Sequence, residues 1–514
     1  MNIKKAYIIS SFIFLIVTAL AGSILLSGCK NKTAERYVLT GDTLTDGKNL
    51  VQIHCTKCHA LVPANALTKD VWTFHTLPAM GPYLGITPYL DGYFKKDTAG
   101  LTLIEWQNIV SYYKKIAPAS LSAAKPPVTA ANDWAGFALK TPAPTEKAVF
   151  TTMATIDPYS HKIYTSDGVT SILQEWDSSL KMLRSVKLPS TAMNASFTKE
   201  KTGAVTAKFS CIGELQLVDF PNGRIMNVNL NDAGLNPVKF ASELARPVHT
   251  VSGDFNKDGL TDWVICGQGY LKGGVYMFLQ NNDGTFVQTN ISDKAGAVKA
   301  IVGDFNKDGW QDLMVLFGRG DEGLTLFLND QHGGFTKKNL LQFPPVYGST
   351  DFEVTDLDHD GNLDVIYTCG FNFNDSRILK PYHGLYLYKN TGNWNLKQEW
   401  FYPINGCTKF VTADFDGDGD LDIATTAFFA DLKDNPAEGC IYFEHDKAFS
   451  FKPHALPVSK YGRWFNMDVG DYNSDGKPDI ILSNYSTGFN FQPGLKPFWL
   501  KNLPFVVLEN NFKK

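Results

Sequence analysis

The sequence predicts a two-part molecule: a small all-α domain followed by an all-β propeller of about seven four-stranded blades. Three observations predict it. A loop pattern with acids or amides at positions 1, 3, 5 and 9 and glycine at 6 recurs five times between residues 254 and 479. Short alternating apolar segments flank each copy, so that a repeat of ~50 residues holds four strands. Ahead of the repeats, two segments of helical spacing bracket a single Cys-x-x-Cys-His sequence.

The chain has 514 residues, more than one ordinary domain needs. Its 48 Lys and Arg nearly balance 52 Asp and Glu, a formal charge of −4 that provides neither a basic surface for nucleic acid nor an acidic disordered tail. The balance hides clustering, because seventeen of the carboxylates sit at positions 1, 3, 5 and 9 of the five loops.

Residues 1–28 read as an export signal: a basic start with Lys4 and Lys5, then an uncharged apolar run from Ala6 to Leu26. Leu26-Ser27-Gly28-Cys29 resembles the lipobox of bacterial lipoproteins. That resemblance implies cleavage before Cys29, a diacylglycerol on its thiol, and a chain held on the periplasmic or cell-surface side of a membrane. An uncleaved anchor helix is the rival reading, since the run approaches the ~20 residues that span a bilayer. Residues 29–39 form a polar tether.

Cys55-Thr56-Lys57-Cys58-His59 comes next. Two thiols three positions apart can add to the two vinyl groups of one haem, placing the adjacent His beneath the iron. A zinc half-site would want a second ligand pair at similar spacing, and none follows. A redox dithiol is the other alternative; the expected reading makes Cys55 and Cys58 the attachment thiols of one haem c and His59 its proximal ligand. Met80, in the Pro-flanked Leu77–Pro82 turn, is the expected distal ligand, with His75 as rival. Thr45–His54 and Leu103–Ile116 have helical patterns, the second carrying Ile104, Ile109, Val110 and Tyr113 on one face. Residues 40–118 resemble a monohaem cytochrome c domain. Residues 119–145, rich in Ala and Pro, form a linker in which Ala135–Lys140 is available to close the propeller.

The five loops are Asp254, Asn256, Asp258, Leu260, Asp262; Asp304, Asn306, Asp308, Trp310, Asp312; Asp356, Asp358, Asp360, Asn362, Asp364; Asp414, Asp416, Asp418, Asp420, Asp422; and Asp471, Asn473, Asp475, Lys477, Asp479. Side-chain oxygens at 1, 3 and 5 of a tight turn converge, the glycine at 6 allows the bend, and the carbonyl at 7 adds a donor. Hard oxygen donors in this arrangement suit calcium, about five ions in all. These are not EF-hands, because position 12 is Ile265, Val315, Tyr367, Thr425 or Leu482 rather than Glu. The repeats resemble the FG-GAP/VCBS family, which implies calcium loops joining the first two strands of each blade. The resemblance covers about residues 245–514. Residues 146–240 keep the strand pattern without the loops, so two blades lack ions, and the propeller spans 146–514.

Connections between second and third strands emerge opposite the loops. They are long and aromatic at 370–384, 427–439 and 484–492, and Arg246, His249, Asp351, Lys409 and Arg463 lie near first-strand starts on that face. They make a candidate ligand face. No phosphate-cradling loop, nucleophile elbow or zinc-protease helix is found. The favoured function is electron transfer by an exported, membrane-anchored c-type cytochrome with a redox partner protein, the propeller serving as docking or ligand-binding scaffold. The alternatives are a haem-linked oxidoreductase or polysaccharide-active enzyme working at the propeller mouth, and a surface glycan-binding or adhesion lipoprotein.

Overall fold

The computed structural model describes residues 37–89, 92–95, 100–200, 202–216, 218–373, 378–487 and 492–513. The export signal and Cys29 lie outside the described residues. Among those described, no helix is long and apolar enough to cross a membrane.

The N-terminal domain is built around two helices, α1 (Thr43–His54) and α2 (Leu103–Ile116). Asp42 caps α1 by accepting from the Thr45 amide, and Thr102 with Glu105 forms a capping box at the start of α2. The helices meet at Gly47, where a Cβ would lie 2.4 Å from the Asn108 carbonyl oxygen and 2.6 Å from Tyr112 Cβ; any larger residue would force them apart. Behind them, Trp72 stacks on Tyr113 at 3.9 Å and donates from Nε1 to the Ala64 carbonyl at 2.8 Å. Trp106, Ile109, Val110 and Tyr113 form the buried face of α2, whereas Ile104, predicted on that face, is exposed.

Two features depart from the expected all-α domain. Ile86–Tyr89 pairs with Gly92–Lys95 as a small antiparallel hairpin. Leu77–Pro82 is a helical run rather than an open turn, with one π turn at Trp72–Thr76 immediately before it. Pro78 explains the π turn. It has no N–H for the residue four back, and the helix resets its register there, the Leu77 amide reaching back to the Trp72 carbonyl.

Residues 151–510 form seven sheets around one axis. The first strands, nearest the axis, are Thr151–Ile156, Ala192–Lys199, Pro247–Gly253, Ala297–Gly303, Ser349–Thr355, Cys407–Ala413 and Trp464–Gly470. In blades three to seven the second strand is buried at all six positions, the burial expected of a strand covered on both faces. Closure comes from the linker. Phe137–Lys140 pairs antiparallel with Phe505–Asn510 as the fourth strand of blade seven, and Ala131–Asn132 pairs in parallel with the outer strand of blade six. Phe137 anchors the closure, its ring 5.4, 5.3 and 5.3 Å from those of Phe415, Tyr442 and Phe512. The edge that blade seven would expose is thereby paired.

Candidate cofactor and ion sites

The five acidic loops join first to second strands and share one hydrogen-bond plan. In the first, Asp254 accepts from the Asp258 and Gly259 amides at 3.2 and 3.0 Å, and Asp258 accepts from Leu260 at 2.8 Å. The other position-7 residues, Trp310, Asn362, Asp420 and Lys477, donate in the same way to position 5. Glycine 6 is left-handed in every loop, and so is position 4, where Lys257, Lys307, His359 and Ser474 accept that conformation and Gly417 adopts it freely.

Position 9 has a second role that sequence reading missed. Asp262, Asp312, Asp364, Asp422 and Asp479 are buried, and each carboxylate accepts two backbone amides. One oxygen takes position 2 of its own loop, at 3.0 Å from Phe255 to Asp262, and the other takes the end of the third strand, at 2.9 Å from Gln280. The same pair of bonds recurs at Asp364, from Leu357 at 3.1 Å and Asn390 at 2.8 Å. These acids therefore staple each blade as well as face its loop. Burial, then the neighbouring carboxylates, push Asp364 and Asp422 up to about 6 and Asp479 up to about 7.

The loops also bind blade to blade. Asn329 Nδ2 donates to the Phe255 carbonyl at 2.8 Å, Trp394 Nε1 to Phe305 at 3.0 Å, and Asn510 Nδ2 to Phe415 at 2.7 Å. In three loops the carboxylate oxygens lie within 4.8 Å of one another: Asp356, Asp358 and Asp364; Asp414, Asp416 and Asp418; Asp471, Asp475 and Asp479. Such a set fits a hard divalent cation. Lys389, paired with Asp358 and at 3.0 Å with Asp360, occupies part of that role in the third loop.

At the Cys-x-x-Cys-His sequence, Cys55–Lys57 forms a single 3-10 turn that continues α1. Both thiols are free, Cys58 being exposed and Cys55 half-buried. Burial, and then Cys58, push the Cys55 thiol up to about 11. His59 Nδ1 lies 2.8 Å from the Ala60 carbonyl. That contact assigns the proton to Nδ1 and leaves the Nε2 lone pair available to a metal. Met80 is 36% exposed at the end of its helical turn, with Phe74 and Tyr83 of the same segment and Ile53 of α1 also exposed. A domain this small, with these uncovered apolar side chains and two free thiols, fits a bound flat apolar group. His75, the rival distal ligand, lies in the π turn.

The five residues predicted to form a ligand face divide into two groups. Arg246 and Arg463 are buried and serve the backbone, which removes them from any open face. Arg246 Nη1 donates to the Glu214, Leu215 and Gln216 carbonyls at 2.6, 3.0 and 2.7 Å, and the Arg463 guanidinium covers the Phe428 ring at 3.9 Å. Burial lowers both to about 10. Among the described residues of the aromatic connections, Tyr485 stacks on Phe150 at 3.6 Å and on Phe428 at 5.3 Å, while residues 374–377 and 488–491 lie outside the described residues. His249, Asp351 and Lys409 instead stand around the propeller axis. Asp351 is buried between Lys299 at 2.8 Å and Lys409 at 2.9 Å. Burial opposes its charge, but the two ammonium groups outweigh burial and hold the carboxyl down at about 2. Burial, helped by the same lysines, lowers His249 to about 3, so it is neutral. A cavity of about 550 Å³ opens beside them, lined by His249, Lys299, Glu353, Asn194, Ser196 and Ser252 among others.

The helical domain sits on this same side. The Tyr382 hydroxyl donates to the Ala66 carbonyl at 3.0 Å, and Val346, Tyr347, Ile378 and Tyr382 join the apolar core of the helical domain. Beneath them lies a buried polar group with no precedent in the sequence reading. Glu322 accepts from the Ser349 amide and hydroxyl at 2.8 and 2.7 Å, and Ser349 meets the Tyr367 hydroxyl at 2.6 Å. Burial raises Glu322 to about 7 and lowers the neighbouring Lys380 to about 8. Their partners come from distant strands, so only the tertiary structure brings them together.

Residues 254–315, 304–367 and 378–425 match the FG-GAP-like repeat family. With seven sheets of four or five strands, the chain is a seven-bladed β-propeller carrying FG-GAP-like repeats. No curated protein matches the chain. Among solved structures, one titled streptogramin B lyase structure is 11% identical, covering 74% of this chain and 100% of its own at a TM-score of 0.45. A structure titled BBS1N in complex with ARL6DN, soaked with lead, is also 11% identical, with 74% and 100% coverage and a TM-score of 0.47. At these scores the likeness says nothing about chemistry.

Proposed function

We propose that the protein is an exported, membrane-anchored c-type cytochrome that transfers electrons, its propeller serving as a calcium-stabilised docking scaffold. The carrying observation is the Cys55, Cys58 and His59 set on one turn, with His59 Nδ1 committed to the Ala60 carbonyl and both thiols free. A haem c bound there supplies a one-electron iron couple. Cys55 and Cys58 would hold it covalently, and His59 and Met80 would bind its iron. Cys29 carries the lipid anchor, and the five acidic loops hold calcium. The electron partner is another protein that docks on the assembled domains.

The axial cavity favours a second reading, in which a small polar ligand such as a glycan enters beside His249, Lys299 and Glu353, for binding or for turnover coupled to the haem. The test is metal and cofactor analysis of the mature protein. Covalent haem, seen as a haem stain that survives denaturation, and several equivalents of calcium are expected. Absence of covalent haem overturns the cytochrome reading, while reduction of the haem by an added glycan would move the assignment to the second.

A further inference from the structure

Three carboxylates stand on the first strands, those nearest the propeller axis: Asp351, Glu353 and Asp468. Two of them are satisfied within the chain. Asp351 takes the Lys299 and Lys409 ammonium groups, and Asp468 takes the Thr155 hydroxyl at 2.5 Å and the Ile156 amide at 3.0 Å. Glu353 differs. It is half-buried and lines the axial cavity, and among the described residues neither of its oxygens accepts a hydrogen bond or meets a cation. His249 lines the same cavity, with Nδ1 buried and without a hydrogen-bond partner. Asn194 commits its Oδ1 to the Thr250 amide at 3.3 Å, which leaves its NH2 group open, and the Ser252 hydroxyl makes no bond among the described residues. Phe197, Ile301 and Val354 supply apolar wall between these groups.

We propose that the axial cavity binds one or two rings of an uncharged sugar, and that Glu353 selects it by accepting from two neighbouring hydroxyls. The proposal deepens the axial-cavity reading above and rests on it. Polar groups away from bulk water normally find partners, so an open carboxylate, imidazole, amide and hydroxyl around one cavity call for a ligand rich in hydroxyls. A carboxylate has two oxygens and only accepts, which suits a pair of adjacent O–H donors. The charged residues of the lining are Lys299 and Glu353, one of each sign, so the wall favours neither an anion nor a cation. The volume of about 550 Å³ lies in the range of small-ligand pockets, and the apolar wall suits the C–H face of a sugar ring.

The test is saturation-transfer NMR with calorimetric titration of the full-length protein. The probes are glucose, galactose, mannose, maltose and cellobiose, with glucuronate and glucosamine as anionic and cationic counterparts. At least one neutral sugar is expected to bind, with affinity falling about tenfold in Glu353→Gln. That variant removes no bond within the chain, so its melting temperature should match the wild type. Binding is expected to vanish in Ser252→Phe, whose ring fills the cavity, and to persist in Glu399→Gln on the outer strand of blade five. If Ser252→Phe fails to fold, Glu353→Gln decides. A neutral sugar whose affinity Glu353→Gln leaves unchanged overturns the proposal. Binding of glucuronate or glucosamine alone overturns it too, while leaving the axial-cavity reading intact. No binding by any probe overturns both.

Discussion

Blades one and three solve the same problem, the turn from first to second strand, by different chemistry. In blade one, Asp157 accepts from the Tyr159 amide at 3.0 Å and the Ser160 hydroxyl at 2.5 Å, and its own amide closes the turn on the Lys162 carbonyl at 2.9 Å. Both oxygens of the Asp157 carboxylate thus bond within the turn. The charge of blade one lies deeper, at buried Glu175, which meets Lys162 at 2.8 Å, Tyr164 at 2.8 Å and Arg184 at 2.6 Å. Burial works against that charge, but Arg184, Lys162 and Tyr164 together hold the carboxyl below its usual range. Blade three gathers Asp254, Asp258 and Asp262 in one turn, where they accept backbone amides and, among the described residues, pair with no Lys, Arg or His. Blade one thus neutralises its buried charge internally, whereas the loop of blade three gathers like charges.

The largest effect that would break this contrast is chelation. Removing calcium from several sites is expected to lower the melting temperature of the propeller by more than about 10 °C, because each occupied site adds binding free energy to the folded state. Calorimetry with and without EDTA measures it, and an unchanged melt would show that the loops are solvated turns.

Substitutions sharpen the contrast further. Asp364→Ala removes both staple bonds, to Leu357 and Asn390, from a buried position, and is expected to cost about 3 kcal/mol with or without calcium. Glu175→Ala in blade one is expected to cost about 2 kcal/mol, discounted because Lys162 and Arg184 are partly exposed, and to be indifferent to EDTA. Asp356→Asn, in the same loop as Asp364, is expected to cost about 1 kcal/mol and only in calcium. Urea unfolding of the three variants in both buffers separates staple, internal pair and ion ligand. A loss at Asp364 that appears only with calcium would mean that position 9 is a ligand and nothing more.

The same contrast explains what could be read in advance. The loops were legible because their spacing is local: nine consecutive residues carry acids, glycine and the flanking strand pattern. The strand that closes blade seven was legible as a short strand-like segment in the linker, and Phe137–Lys140 takes the fourth place of that blade. The bonds from blade to blade were not, since Asn329 and Phe255 are 74 positions apart and Asn510 and Phe415 are 95. The docking of the helical domain was hidden for the same reason, Tyr382 and Ala66 being 316 positions apart. Arg246 and Arg463 misled because a charged residue near a strand start reads as surface, while here carbonyl oxygens and the Phe428 ring surround the guanidinium groups. Pro78 held an unread signal, the amide missing from the helix that carries Met80.

The smallest effect concerns pH and separates loop acids from a buried acid elsewhere. Glu322 titrates near 7 in the folded protein against an ordinary 4.5, because burial disfavours its charge more than the Ser349 bonds support it. Between those values the folded chain holds a proton that the unfolded chain has released. Stability therefore falls as pH rises from about 4.5 to 7, with a slope of at most about 1.4 kcal/mol per pH unit from this group. Asp364, Asp422 and Asp479 add a slope of the same sign while their loops are empty, and a bound cation removes theirs by favouring the charged form. Glu322, on the opposite face, keeps its slope in saturating calcium. Urea unfolding at pH 5 and 7 in calcium should thus show a fall in stability that Glu322→Gln makes smaller, buried Glu438, also raised to about 7, contributing a slope of the same sign. A slope that Glu322→Gln leaves unchanged would place the titrating group elsewhere, with Glu438 as the next carboxyl to replace.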